Sequence, residues 1–256
     1  MLEPLRSLLF VPANREKFLR KAQDLRPDAL VPDLESGVLD PDKAKARHML
    51  RDALPALAKG AKVFARVNPI DSPFLLDDLN AIISKDLTGV TLPKMESPDQ
   101  VRRLDDMISN LEQGKGLPFG HVRIIPFIES ALGVMRAFEI ATASSRVVAI
   151  AFGAEDFTAD MGVSRTADGT EVLFARNQVA VAARARPGGL SGALSVRAFY
   201  WLLVAPALVA MLAFYFFPLA RVLWISVTEP RPGLDNYALL ATSASVHNVL
   251  LVTARI

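Results

Sequence analysis

Short apolar runs that end in a charged residue, each followed by a helical stretch, recur along the first 185 residues about every thirty residues, the cadence of β/α units. The runs are SLLFVPA, DALVPDLE, AKVFARVN, GVTLPKM, VRIIPFIES and VVAIAFGAED, six in all, each apolar between polar or turn residues, as strands buried on both faces are. Helical patterns separate them. Asn14 is placed to cap REKFLRKAQDL, Asp40 and Pro41 open DKAKARHMLRDALPALA, and Ser97 precedes a helix with Pro98 at its first position. This alternation predicts an α/β chain built as a parallel barrel. Pro12, Pro32, Pro93 and Pro126 are awkward in central strands because proline cannot donate to the ladder, and they are expected late in their runs, where a strand leaves the sheet.

The charged residues gather at the same end of these runs: Glu35 on the second, Arg66 on the third, Lys94 on the fourth, Glu129 on the fifth and Asp156 on the sixth. In a (β/α)8 barrel that end carries the catalytic residues. Glu129 and Asp156, with no His at ligand spacing and no Cys in the chain, favour an oxygen-loving cation, and one or two carboxylates completed by water and substrate is the habit of Mg2+. Such an ion chelates an α-keto acid through its carboxylate and carbonyl oxygens. Arg66 offers a permanently charged fork for a substrate carboxylate, and Gly153 permits close backbone approach, so that amides of its loop can bind the same group. Each residue also has a plainer role open to it. Glu129 can cap a helix starting at Ser130, Asp156 can form a surface turn, and Arg66 or Lys94 can be solvated loop charges. Their coincidence at successive strand ends argues for one site. His48 lies mid-helix and His121 at the start of a strand, away from that end, so neither suits a catalytic base.

The segments RSLLFVPANREKFLRKA, DALVPDLES, KAKAR, FARVN, LPKMESPDQV, IIPFIESALGV and AFGAEDFTADMG resemble, in order and over residues 4–185, the HpcH/HpaI aldolase and citrate lyase family, especially its citrate lyase β subunit-like CoA ester lyases. The resemblance implies a TIM barrel of the pyruvate/phosphoenolpyruvate type, a Mg2+ ion, a homo-oligomer, and cleavage of a 3-hydroxyacyl-CoA thioester such as citryl-CoA or malyl-CoA by retro-aldol or Claisen chemistry. It assigns Glu129 and Asp156 as metal ligands and Arg66 as the residue that binds the keto-acid carboxylate. Glu129 also counts there as substrate-binding, and Glu35, Lys94 and Gly153 as supporting residues. It assigns no catalytic base. Ser36 departs from the family's commoner DLED form. A (β/α)8 barrel needs two further units after residue 185, so the expectation is a barrel truncated after about six units, with impaired activity.

Composition changes at residue 186. Both Trp and all three Tyr lie after residue 198, and five basic against two acidic residues fall after 185, leaving 24 against 25 before it. The basic pI therefore belongs to the tail, and no basic cluster with stacking aromatics points to nucleic acid. Residues 186–197, rich in Gly, Ser and Arg, read as a junction. Residues 198–220 carry no charge over 23 positions, which is long enough for a transmembrane helix. With Arg184, Arg186 and Arg197 before the span, residues 1–185 are expected in the cytoplasm and the tail in the inner membrane. Residues 190–256 resemble the N-terminal part of an ABC transporter permease, with a second span beginning near the end. The alternative to a lyase is accordingly a non-catalytic, membrane-inserted fusion fragment.

Overall fold

A computed structural model of the chain describes residues 5–186, 208–209, 211–228, 238 and 242–244. The chain divides into two units, Met1–Gly192 and Ala193–Ile256.

The first unit contains all six expected strands: β1 (Leu8–Pro12), β2 (Ala29–Asp33), β3 (Lys62–Arg66), β4 (Gly89–Leu92), β5 (Arg123–Ile128) and β6 (Ala151–Phe152). They form one parallel sheet in sequence order. Each neighbouring pair is joined by a helical crossover: α1 (Glu16–Ala22), α2 (Lys43–Leu57), α3 (Leu75–Ile82), α4 (Pro98–Gly114), then α5 (Ala131–Met135) with α6 (Ala137–Thr142). After β6 come α7 (Ala154–Asp160) and α8 (Leu173–Ala185). The sheet is curled. Phe10 on β1 and Phe127 on β5 meet edge to face with ring centroids 6.1 Å apart, whereas four flat inter-strand spacings would separate these strands by about 19 Å. The result is a half-barrel of six strands.

The helices form for reasons visible in the sequence. Ser97 caps α4 by accepting from the Gln100 N–H at 3.3 Å, and Gln100 reciprocates by accepting from the Ser97 N–H at 3.1 Å, a complete capping box. Val101, Leu104 and Ile108 then share one buried stripe. On α2 the buried stripe is Ala46, Leu50, Leu54 and Leu57, and it continues through two cations, Lys43 and Arg47. These stripes pack on the convex face of the sheet against Leu30, Val63, Val90 and Ile124.

Two local expectations are corrected. The N-cap of α1 is Arg15, with no side-chain cap bond, and the Asn14 Oδ1 is buried without a partner. Pro126 is not late in its strand but fourth of six in β5. It fits there because Pro126 is the last residue paired with β4, while Phe127 begins the pairing with β6.

In the tail, a π-helical turn, Leu212–Phe216, leads into α9 (Phe217–Thr228). The wide turn precedes Pro218, which has no N–H to donate. Among the described residues no helix is long and apolar enough to cross a membrane. The expected span 198–220 falls in part on 198–207 and 210, which lie outside the described residues, as do most of those that would begin a second span.

Candidate functional site

Side chains alternate across a strand. Leu8, Ala29, Phe64, Ile125, Phe127 and Ala151 cluster on the concave face. Extending that two-residue period along each strand brings Asp33 on β2, Arg66 on β3 and Glu129 just past β5 onto the same face at the C-terminal end. Register agrees, since Asp33 lies opposite Arg66 and Arg66 opposite Thr91. The Thr91 hydroxyl in this layer is buried without a partner.

Asp33 organises one half of the site, and it was absent from the sequence expectation, which placed the acid of the second run at Glu35. Its carboxylate accepts a fork from Arg66, Nε at 2.7 Å and Nη2 at 2.6 Å, and also accepts the N–H groups of Glu35 at 2.9 Å and Gly37 at 2.8 Å. Gly37 permits this approach, because a Cβ there would lie 2.5 Å from the Asp33 Oδ2 and push the carboxylate aside. Arg66 Nη2 also donates to the Ser36 Oγ at 2.7 Å, Nη1 stands 3.3 Å from the Glu35 Oε2, and the guanidinium covers the Phe10 ring at 5.1 Å. Burial works against the charge on Arg66. The hydrogen bonds to Asp33 and the negative charges of Asp33, Glu35 and Glu129 outweigh it and raise its pKa above the ordinary value. Arg66 is thus a fixed cation and not a solvated loop charge, with its fork already committed to Asp33 and Nη1 turned to Glu35.

Glu129 organises the other half. It is buried, and its Oε2 accepts the backbone N–H of Lys94 at 3.0 Å. Lys94 stands at φ 54°, the one positive φ outside glycine among the described residues. That left-handed backbone aims its N–H at Glu129, while the side chain is exposed. Lys94 therefore enters the site through its main chain. Glu129 is not a helix cap, since the Ser130 Oγ caps α5 by accepting from the Gly133 N–H at 3.1 Å. Burial pushes the Glu129 pKa up. The Lys94 N–H and Arg66 oppose the shift, Asp156 and Glu35 reinforce it, and the net is a rise. Asp156 is exposed in the first turn of α7 and close enough for its charge to be felt at Glu129. Gly153 leaves room for Glu129: a Cβ there would lie 2.6 Å from its Cγ. The Gly153 N–H is taken by the Ile128 carbonyl at 3.0 Å, so it is not itself one of the amides expected to bind a substrate.

The residues fit Mg2+. The charges of Glu129 and Asp156 repel, and a cation bound between them would relieve that repulsion. No group of three or more His, Cys, Asp and Glu gathers at ligand spacing among the described residues. The two acids Glu129 and Asp156 suit a hard ion whose coordination is completed by water and substrate oxygens. The histidines stand apart as expected: His48 is exposed on α2, and His121 precedes β5 at the opposite end of the sheet.

Comparison with known proteins agrees with this fold. Residues 6–196 match the family described as HpcH/HpaI aldolase/citrate lyase. The match continues past residue 185, the expected break, into the stretch likened to an ABC transporter permease, a likeness that no comparison supports. The chain is 42% identical over 185 residues to a citrate lyase subunit beta-like protein of Deinococcus radiodurans, covering 70% of this chain and 62% of that one. To the mitochondrial citramalyl-CoA lyase of Mus musculus it is 31% identical over 193 residues, covering 71% and 57%. The citrate lyase beta subunit of M. tuberculosis, solved with oxaloacetate and magnesium, superposes with a TM-score of 0.55 at 32% identity, covering 70% and 73%. The chain spans about 60% of the length of the curated relatives it matches.

Proposed function

Because the chain belongs to the HpcH/HpaI aldolase/citrate lyase family, we propose that it carries the site of a Mg2+-dependent carbon–carbon lyase acting on a 3-hydroxyacyl-CoA thioester of the citryl-CoA or malyl-CoA type. The observation that carries this is the pairing of Glu129 and Asp156 beside the held cation of Arg66 at one end of a curled parallel sheet.

Glu129 and Asp156 would hold the metal. Mg2+, when bound, supplies a Lewis acid for the oxygens of an α-keto acid. The chain's own residues do the rest. Asp33 locks the Arg66 plane, so that Nη1 is the donor left to meet a substrate carboxylate once Glu35 yields it. The Lys94 N–H fixes the rotamer of Glu129. A cleft of about 1100 Å3 reaches the end of β1 at Pro12 and the loop after β2 at Gly37, and its basic residues Arg15, Lys17, Arg20 and Lys45 outnumber its acids Glu16 and Asp52, a balance that suits the phosphates of a CoA ester.

The test is cleavage of malyl-CoA and citryl-CoA with Mg2+, together with calorimetric titration of Mg2+ and pyruvate, on the parent chain, Glu129→Ala and Asp156→Ala. Each substitution is expected to weaken Mg2+ binding at least tenfold. Binding unchanged by both would refute the metal assignment.

A further inference from the structure

Lys43 lies almost wholly inside the protein, yet it touches neither the metal-binding acids nor Arg66. It belongs to the KAKAR segment, whose last cation, Arg47, is also buried, while Lys45 between them is exposed. The Lys43 ammonium has three N–H donors, and three carbonyl oxygens of one loop converge on it: Leu34 at 3.0 Å, Glu35 at 3.1 Å and Val38 at 3.2 Å. The Phe74 ring covers the same nitrogen at 5.4 Å, and the Asn68 amide donates to the Leu34 carbonyl at 3.1 Å. From the other side Asp33 takes the N–H groups of Glu35 and Gly37. The loop after β2 is thus gripped through its carbonyls by Lys43 and through its amides by Asp33. It carries the two side chains, Glu35 and Ser36, that complete the contacts of Arg66.

We propose that Lys43 is a positioning residue: its ammonium occupies a cation site made by the loop's own carbonyls and thereby sets Glu35 and Ser36 against Arg66, which fixes how the site receives a keto-acid carboxylate. The Leu34 carbonyl also accepts from the Asn68 amide and the Glu35 carbonyl from the Val38 N–H, but Lys43 is the one donor that all three carbonyls share, and its charge offsets the repulsion between their inward-turned oxygens. The proposal rests on the function proposed above for Arg66.

The experiment measures Mg2+ affinity and, with Mg2+ saturating, pyruvate affinity in the full chain, in Lys43→Met and in Lys43→Ala with and without methylammonium. Lys43→Met is expected to bind Mg2+ within twofold of the parent and pyruvate at least tenfold more weakly. Methylammonium is expected to bring pyruvate binding by Lys43→Ala to within threefold of the parent, a rescue that a merely structural lysine would not show as a separation of the two affinities. If Lys43→Met does not fold, Lys43→Ala with the amine decides: recovered fold with recovered pyruvate binding supports the proposal, and recovered fold without it overturns it. Pyruvate binding by folded Lys43→Met within twofold of the parent overturns the proposal alone. A parent chain that binds Mg2+ but no pyruvate overturns both this proposal and the role given to Arg66.

Discussion

At the scale of single residues, the site depends on placing like charges together, and the consequences are measurable. Glu129 has a raised pKa, so between its unfolded and folded pKa values the native state binds more protons than the unfolded one and stability falls as pH rises. Removing that charge should help the metal-free protein: Glu129→Gln is expected to melt at a higher temperature than the parent at pH 7, with the gap closing below about pH 4, near the ordinary glutamate value. Thermal melts across pH without Mg2+ check this, and a gap unchanged at low pH would count against it. Lys94 gives a second case. Lys94→Gly should stay within about 1 kcal/mol of the parent and keep its Mg2+ affinity, because glycine holds φ 54° without strain. Lys94→Val should lose about 2 kcal/mol and weaken Mg2+ binding, since a β-branched residue resists that φ and turns the N–H from Glu129. Denaturant melts with metal titration separate the two. Arg66 and Glu129 were legible as charges at strand ends, whereas Asp156, read as the end of the sixth run, stands in the first turn of α7. Asp33 was also within reach, because the period of two from Ala29 places it on the inner face, but Glu35 stood nearer the end of the run and took its place. The role of the Lys94 backbone was not legible, since no sequence pattern around a lysine announces a left-handed φ.

At the scale of elements, the loops and helices are tied by buried charge as much as by apolar stripes. Arg146, before β6, is 1% exposed and reaches Glu112 on α4 with both terminal nitrogens, at 2.8 and 2.7 Å, while its Nε pairs with Asp105. Glu112 in turn accepts the N–H groups of Gly120 at 2.9 Å and Val122 at 2.7 Å, which pins the entry to β5. Burial would raise the Glu112 pKa, but its bonds from Arg146, Val122 and Gly120 outweigh burial and lower it. Arg146→Met is expected to cost about 3–5 kcal/mol, because it strands a buried carboxylate, and urea unfolding reads the loss. The six strands and the cap at Ser97 follow from local pattern. The buried tie between α4 and the start of β5 does not, because Glu112 and Arg146 are 34 residues apart and each looks like an ordinary surface charge in its own segment.

At the scale of the whole molecule, the family match ends at residue 196 and the first unit at Gly192, within a few residues of each other. A chain cut after residue 196 is therefore expected to keep its far-ultraviolet circular dichroism per residue and to bind Mg2+ and pyruvate within threefold of the full chain. Loss of binding on cutting would show that the tail contributes to the site. The sequence by itself determined the α/β alternation, six parallel strands and the end of the sheet at which charge gathers, because apolar period, caps and strand-end charges are properties of neighbouring residues. Only the tertiary structure decided that the sheet curls until Phe10 meets Phe127, that Asp33 holds the fork of Arg66, and that Lys43 fastens the loop between them. Those outcomes depend on distances between strands and on which donors are already satisfied, and such quantities exist only once the chain has brought residues far apart in sequence to within a few ångströms.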